Sequence, residues 1–296
     1  MPLQPSGLIV KRRPKMQQVL VQGLNGLSLA GILILVALGL WFIFGVLGVI
    51  NLAHGELFML GAYAVVLIHN LTGSVWLGIV LAPLLIAVVG LGIEVSVIKR
   101  LYERPFDTLL ATWALSLIAR EGVTLVTSGS YQGVPAPVSG TINIAGAGYP
   151  LYRIVLLVLG VIALIAAGTI LYRTGLGLRA RAVIFNREIA GSLGINVRLV
   201  DSVIFSLGAA LAGLAGGLMS PLITISPTMG LPFLALSFLV VILGGLARIW
   251  GLALGALIMG AGPAVVAFFT TPVLAQIIIL ALAIMVLRFR PRGLLA

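Results

Sequence analysis

From Gly23 to Ile50 the chain carries no charged side chain. An α-helix crosses the hydrocarbon core of a bilayer with about 20 apolar residues, so this run alone commits the chain to a membrane or to a very large core. The basic residues ahead of it (Lys11, Arg12, Arg13 and Lys15) imitate the start of a secretory signal. The apolar stretch is far longer than a signal core of about 7–15 residues and has no small-x-small cleavage site. It reads as a retained transmembrane segment. Composition removes the alternative of one oversized core: 61% of the residues are hydrophobic and 8% charged, against roughly 45–50% and 25% in soluble domains. Too few polar side chains remain to cover a water-facing surface.

Further apolar spans are expected near 75–98, 107–127, 152–172, 202–222, 231–247, 249–269 and 273–289. Basic residues sort the connections between them. Lys99, Arg100 and Arg104 fall in one loop, Arg173, Arg179, Arg181, Arg187 and Arg198 in another, with Arg248 and the tail Arg288, Arg290 and Arg292 completing the set. The opposite loops, 71–74, 128–150, 223–230 and 270–272, contain no Lys or Arg. Cytoplasmic loops collect Lys and Arg, so the formal charge of +11 is an orientation signal rather than a nucleic-acid footprint. The expected fold is an all-α, polytopic membrane bundle. Residues 1–17 are the basic N-terminus, 18–289 the transmembrane domain with a cytoplasmic loop at 173–201, and 290–296 the tail.

Residues 18–70 are too short for three crossings and too long for one. With the basic N-terminus placed inside, parity requires an odd number. The expectation is therefore one net crossing from broken or re-entrant helices near 45–60, eight net crossings in all, and both termini cytoplasmic. Asn51, His54 and Glu56 stand in that stretch. A charge at the centre of a membrane helix costs roughly 2.5–3.5 kcal/mol on insertion scales, so these residues need partners or water. Two readings are open: they line a polar path, or Asn51 caps the next helix while His54 and Glu56 satisfy backbone groups freed by the break. Glu94 is expected to snorkel at a span end, and Arg120 to pair with Glu121.

Other patterns belong to packing. Gly213-x-x-x-Gly217, Gly251-x-x-x-Gly255 and Ala256-x-x-x-Gly260 allow close helix approach, and Pro83, Pro221 and Pro263 kink or end spans. Loop 128–150 reads as an ordered turn region. The absence of Cys and the presence of only His54 and His69 leave no metal-ligand cluster. Neither paired carboxylates nor a nucleophile–base spacing is visible, which sets an enzyme aside.

Loop 173–201 is too long for a simple connector. Asn186 is an N-cap, Glu188 suits the positive end of a helix and Gly194 suits its stop. A helix of about two turns is expected over 187–193, placed where a partner can push on it. No lysine follows a glycine in this chain, so it lacks the Gly-Lys-[Ser/Thr] of a P-loop, and energy for transport must come from another chain.

Glu188-Ile189-Ala190-x-x-x-Gly194 resembles the Glu-Ala-Ala-x-x-x-Gly cytoplasmic loop of ABC importer permeases, departing from it at Ile189. Together with Gly45–Glu56 and Met59-Leu60-Gly61-Ala62-Tyr63, it makes the chain similar, from about residue 17 to the Arg-Pro-Arg-Gly end, to permeases of the hydrophobic (branched-chain) amino acid uptake family. Arg104–Leu117, which holds Thr112 and Trp113, and Arg181–Glu188 look closer to the urea and short-chain amide members. The resemblance implies a multi-pass subunit of a bacterial or archaeal inner membrane, itself no enzyme and without a cofactor. It also implies a second, homologous permease as heterodimer partner, two cytoplasmic ATP-binding subunits, an extracytoplasmic solute-binding protein, and no nucleic acid. The implied coupling residues are Arg187, Glu188, Ile189, Ala190, Gly191, Leu193 and Gly194. Asn51, His54, Glu56, Thr112 and Trp113 are the candidates for the path or the broken helix. The competing reading is an ATP-independent channel or secondary carrier for a small neutral solute, with Asn51, His54 and Glu56 as its selectivity groups.

Overall fold

The computed structural model describes residues 15–144, 146–290 and 293–295. Lys11, Arg12, Arg13 and Arg292 lie outside the described residues. Among those described, the helices are α1 (Lys15–Trp41), α2 (His54–Thr72), α3 (Val75–Ser96), α4 (Pro105–Thr127), α5 (Leu151–Arg173), α6 (Gly175–Phe185), α7 (Arg187–Ser192), α8 (Val197–Met219), α9 (Gly230–Gly244), α10 (Gly251–Val266) and α11 (Pro272–Phe289). Seven helical stretches are long and apolar enough to cross a membrane, and α9 and α10 are apolar but shorter. The protein is a multi-pass helical membrane protein. Within the expected turn region 128–150 the chain also forms a small antiparallel hairpin, β1 (Thr141–Ile144) with β2 (Ala147–Pro150).

Contacts sort the helix ends onto two faces. On one, the Arg153 guanidinium donates to Asn25 Oδ1 (2.9 Å) and the Tyr149 hydroxyl to the Leu24 carbonyl (2.8 Å). Gln132 and Ile225 exchange backbone hydrogen bonds there, and Pro272 and Gln276 share a cavity with Gln22 and Arg153. On the other, Trp41 and Gly45 lie beside Arg181, Phe185 and Leu246, and Leu294 N–H donates to the Leu243 carbonyl. The second face holds the basic loops. Arg153, at the start of α5, stands with the arginine-poor face, as does the start of α1, which opens on Lys15.

This geometry corrects the parity argument. Residues 18–70 form two helices, α1 extended by a π-helical stretch at Phe42–Val46, and then α2. The first turns of α1 pack with Tyr149 and Arg153, whereas the residues after α11 pack with Leu243. The two ends of the described chain therefore lie on opposite faces, not on one. Weight given to the basic N-terminus, most of which is outside the described residues, forced an odd number of passes where the chain makes two.

The core is a glycine seam. Gly213 faces the Ile86 side chain of α3, where an added methyl would stand 2.6 Å from it, and a methyl on Gly216 would collide with the Phe58 carbonyl of α2. Lipid tails are as apolar as leucine, so close backbone approach rather than a hydrophobic drive holds such helices together. The starts of α2 and α9 also meet inside the bundle. A methyl on Gly55 would stand 2.7 Å from the Gly230 carbonyl, and three residues on Phe58 stacks on Phe233, ring centroids 4.4 Å apart. Gly-x-x-Phe opens both helices.

Candidate functional site

The irregular segment between α1 and α2 starts near the arginine-rich face, with Gly48 exposed, and carries Asn51 and His54 inward to the level of Val36 on α1. Gly48 takes φ +71°, a left-handed conformation that glycine adopts without steric cost, and the chain turns back into the bundle there. Asn51 Oδ1 accepts from Ala53 N–H at 3.0 Å, an Asx turn ahead of the helix. The helix-capping expectation for Asn51 is thus replaced by a turn two residues earlier. His54 is fully buried, and its Nε2 lies 3.0 Å from the Val36 carbonyl of α1. The ring fits because Gly39 has no side chain: an added methyl would stand 3.0 Å from His54 Cε1.

Helix α4 closes the break from the side with a polar row spaced four residues apart: Thr108, Thr112, Ser116, Arg120. Residues at i and i+4 share a helix face, and this face points at α2. Thr112 Oγ1 accepts from Leu52 N–H (3.1 Å), and its one hydrogen lies within reach of the Leu109 carbonyl (3.0 Å) and the Ile50 carbonyl (3.3 Å). Arg120 Nη2 donates to Glu56 Oε1 at 2.9 Å and to Ser116 Oγ at 3.1 Å. Glu56 is buried, in the first turn of α2, where the positive helix end favours its charge. Glu56 Oε2, Arg120 Nε, Asn51 Nδ2 and His54 Nδ1 are buried without a partner among the described residues. Above the ion pair, a cleft of about 720 Å³ opens between α2, α3 and α4, apolar at Leu60, Ile118 and Val123 and polar at Asn70, Ser130 and Gln132 on the arginine-poor face.

On the arginine-rich face, Asn186 Oδ1 accepts from Ile189 N–H at 2.9 Å and caps α7, and Gly194 ends it at φ +83°. Helix α7 has two sides. Arg187 points inward to an ion pair with Asp201 and lies over the Tyr102 ring, 5.1 Å from its centroid, while Ala190 is buried. Glu188, Gly191 and Gly194 are exposed, and Ile189 and Leu193 stand outward beside exposed Phe185. The Tyr102 hydroxyl and Ser202 Oγ both donate to Glu94. Burial, and then the negative charges of Asp201 and Glu94, push the Tyr102 phenol upward, so it stays a donor. Helix α6, which precedes α7, is capped by the Thr174 hydroxyl accepting from Gly177 N–H (3.2 Å).

Three expectations change. Arg120 pairs with Glu56, not with exposed Glu121. Glu94 is buried with both oxygens hydrogen-bonded instead of snorkelling. Loop 173–201 holds two helices where one short helix was expected. The structure brings Asn51, His54, Glu56 and Thr112 together but turns Trp113 to the exposed side of α4. Sequence reasoning gave Arg120 the wrong partner and missed Ser116, Tyr102 and Asp201. The four-residue spacing of the α4 row was the signal that would have placed Arg120 and Ser116.

The chain matches, over residues 23–287, the family described as branched-chain amino acid transport system / permease component. It is 27% identical over 298 residues to the high-affinity branched-chain amino acid transport system permease protein BraD of Pseudomonas aeruginosa, covering 95% of this chain and 97% of that one. LivH of Escherichia coli, with the same description, is 27% identical over 294 residues, 93% of this chain and 95% of the relative. A probable branched-chain amino acid transport permease protein LivH of Methanocaldococcus jannaschii is 27% identical over 253 residues, 81% and 78% of the two chains. No solved structure matches the chain.

Proposed function

The chain belongs to the family of permease components of branched-chain amino acid transport systems, and from that premise we propose that it is the membrane subunit of an ATP-driven importer for small aliphatic amino acids. One observation carries the energy coupling. Helix α7 is capped and anchored inward by Arg187 and Ala190, and it presents Ile189 outward on the arginine-rich face, between Phe185 at the end of α6 and Leu193 just after α7. Apolar side chains on a face outside the spans have no lipid to meet, and they suit a docking partner. In this reading separate ATP-hydrolysing subunits grip α7 from the cytoplasm, a second homologous permease stands beside the chain, and an external binding protein delivers the solute at the arginine-poor face. The start of α1 then lies outside and the tail inside. Residues 173–201 act as the coupling loop of the 18–289 membrane domain.

Asn51, His54, Glu56 and Thr112 hold the broken helix beside the path. The relatives' substrate is favoured over urea because the cleft between α2 and α4 is lined mainly by aliphatic side chains.

Uptake of labelled leucine by cells carrying the complete system tests the reading. Leu193→Asp and Ile189→Asp should leave the amount of chain in the membrane unchanged, yet lower both uptake and the co-purifying ATPase by about tenfold or more, as loss of a central apolar anchor does. Leucine uptake that persists in vesicles without ATP or any ATPase subunit would instead establish the channel or carrier reading.

A further inference from the structure

Building on the transport reading above, we propose that Glu56 and Arg120 together seat the charged end of a zwitterionic amino acid, with the cleft between α2 and α4 receiving its aliphatic side chain. The two groups meet through a single atom each, and Arg120 Nη2 also donates to Ser116 Oγ. Arg120 Nη2 meets Glu56 Oε1 at 2.9 Å, while Arg120 Nε and Glu56 Oε2 are buried with no partner among the described residues. An ion pair whose sole task is to tie two helices gains most from the two parallel bonds of a guanidinium–carboxylate fork, and this pair does not make them. It leaves Nε on the cation and Oε2 on the anion without a partner among the described residues. An α-amino acid is their complement: its carboxylate accepts from the guanidinium and its ammonium donates to the Glu56 oxygen. Urea and simple amides carry neither charge.

The surroundings fit the rest of the molecule. The cleft begins one helical turn from Glu56 at Leu60, is walled by Ile118, Ala119 and Val123, and ends in Asn70 and Gln132 on the arginine-poor face. Glu56 and Arg120 do not line the cleft themselves, so the aliphatic side chain lies in the cleft while the charged end reaches the pair by parting α4 from α2 at the turn between Glu56 and Leu60. Buried polar atoms without partners are costly, so an occupant that satisfies both is bound with specificity for both charges. Helix α4 is largely exposed and meets α2 through polar residues. An occupant lodged between the two helices therefore also fixes where α4 stands.

The test is equilibrium binding of labelled leucine to the full-length chain purified in lipid nanodiscs, without the external binding protein, and competition by 4-methylpentanoate (no ammonium) and isopentylamine (no carboxylate). Each analogue should compete about 10- to 100-fold less well than leucine, the worth of one charge-assisted hydrogen bond. Glu56→Gln should weaken leucine and close the gap to 4-methylpentanoate while keeping the gap to isopentylamine. Arg120→Gln should do the reverse. A purely structural pair cannot give that crossed pattern.

Analogues competing within about threefold of leucine on the wild-type chain overturn the proposal, as do variants that shift all three probes equally. If a variant fails to insert, the wild-type competition decides alone. Leucine uptake by cells, measured in parallel, separates the two levels. Its absence undoes the transport reading, whereas uptake without the analogue discrimination undoes only the seat.

Discussion

Helices α4 and α8 are both 23 residues long and both touch α2, yet they are held in opposite ways. In the apolar window of α8, 56% is buried, against 11% in α4. Helix α8 approaches through Gly213 and Gly216, backbone against backbone. Helix α4 approaches through Thr112 and Arg120, each reaching a named polar atom on the break or on α2. Apolar side chains give no net drive for association in lipid, so helices there are held by close approach or by polar links. The first kind of contact makes a seam that cannot part without losing many van der Waals contacts at once. The second makes a wall on a few directional ties, which can move when those ties change. Transport needs both, a fixed frame and a movable element beside the path.

The largest effect should come from opening the seam. A side chain at Gly216 would strike the Phe58 carbonyl, and Gly216→Val must therefore push α8 off α2. Overpacking of this kind costs about 3 kcal/mol or more where backbone must shift. We expect most folded protein to be lost, read as the fraction surviving size-exclusion chromatography after heating. Gly122→Ala on α4 is the control: nothing lies within 4 Å of the added methyl, and its melting should match the wild type. Equal behaviour of the two variants would erase the distinction between seam and wall.

The same contrast explains what the sequence disclosed. Spans were legible because apolar runs report directly on the bilayer, and the break was legible because Asn51, His54 and Glu56 interrupt one. The cap at Asn186 and the stop at Gly194 follow from local backbone chemistry and stand as expected. What failed was anything decided at long range. Arg120 finds Glu56, 64 residues away, and Glu94 finds Ser202, 108 away. One of those errors was avoidable on local grounds, because adjacent residues on a helix do not face each other, which already excludes Arg120 with Glu121. Helix α6 was hidden by Gly175 and Gly177, residues that weaken a helix in isolation. Gly177 is needed there because a side chain would meet the carbonyls of Ile170 and Leu171 at the end of α5.

A middle-sized effect should follow from cutting one tie of the wall. Thr112→Val keeps the shape of the side chain but removes the hydroxyl that accepts from Leu52 N–H and lies within reach of the Ile50 carbonyl. The expected loss is about 1–2 kcal/mol, the range for buried hydrogen bonds left unmade. Because the chain has no cysteine, a single cysteine at Ala119, which lines the cleft, reports on α4 directly. Thiol labelling there should quicken in the Thr112→Val background and stay unchanged with Gly122→Ala. Unchanged labelling in the first case would mean that α4 is held by something other than its polar row.

The smallest effect on the chain itself should come from Trp113, the neighbour of Thr112 about 100° around the same helix. It is 53% exposed, with Leu110 and Leu117 near it on α4 also exposed. Trp113→Ala should change melting of the isolated chain by no more than about 0.5 kcal/mol, as surface substitutions do. If the second permease covers this side of α4, the same substitution removes a large aromatic anchor, and co-purification of the two permeases should fall by about tenfold or more. Loss of partner with unchanged melting places the wall between the path and the second subunit. Loss of melting in the isolated chain would instead make Trp113 an internal contact and α4 part of the frame, reversing the contrast with α8.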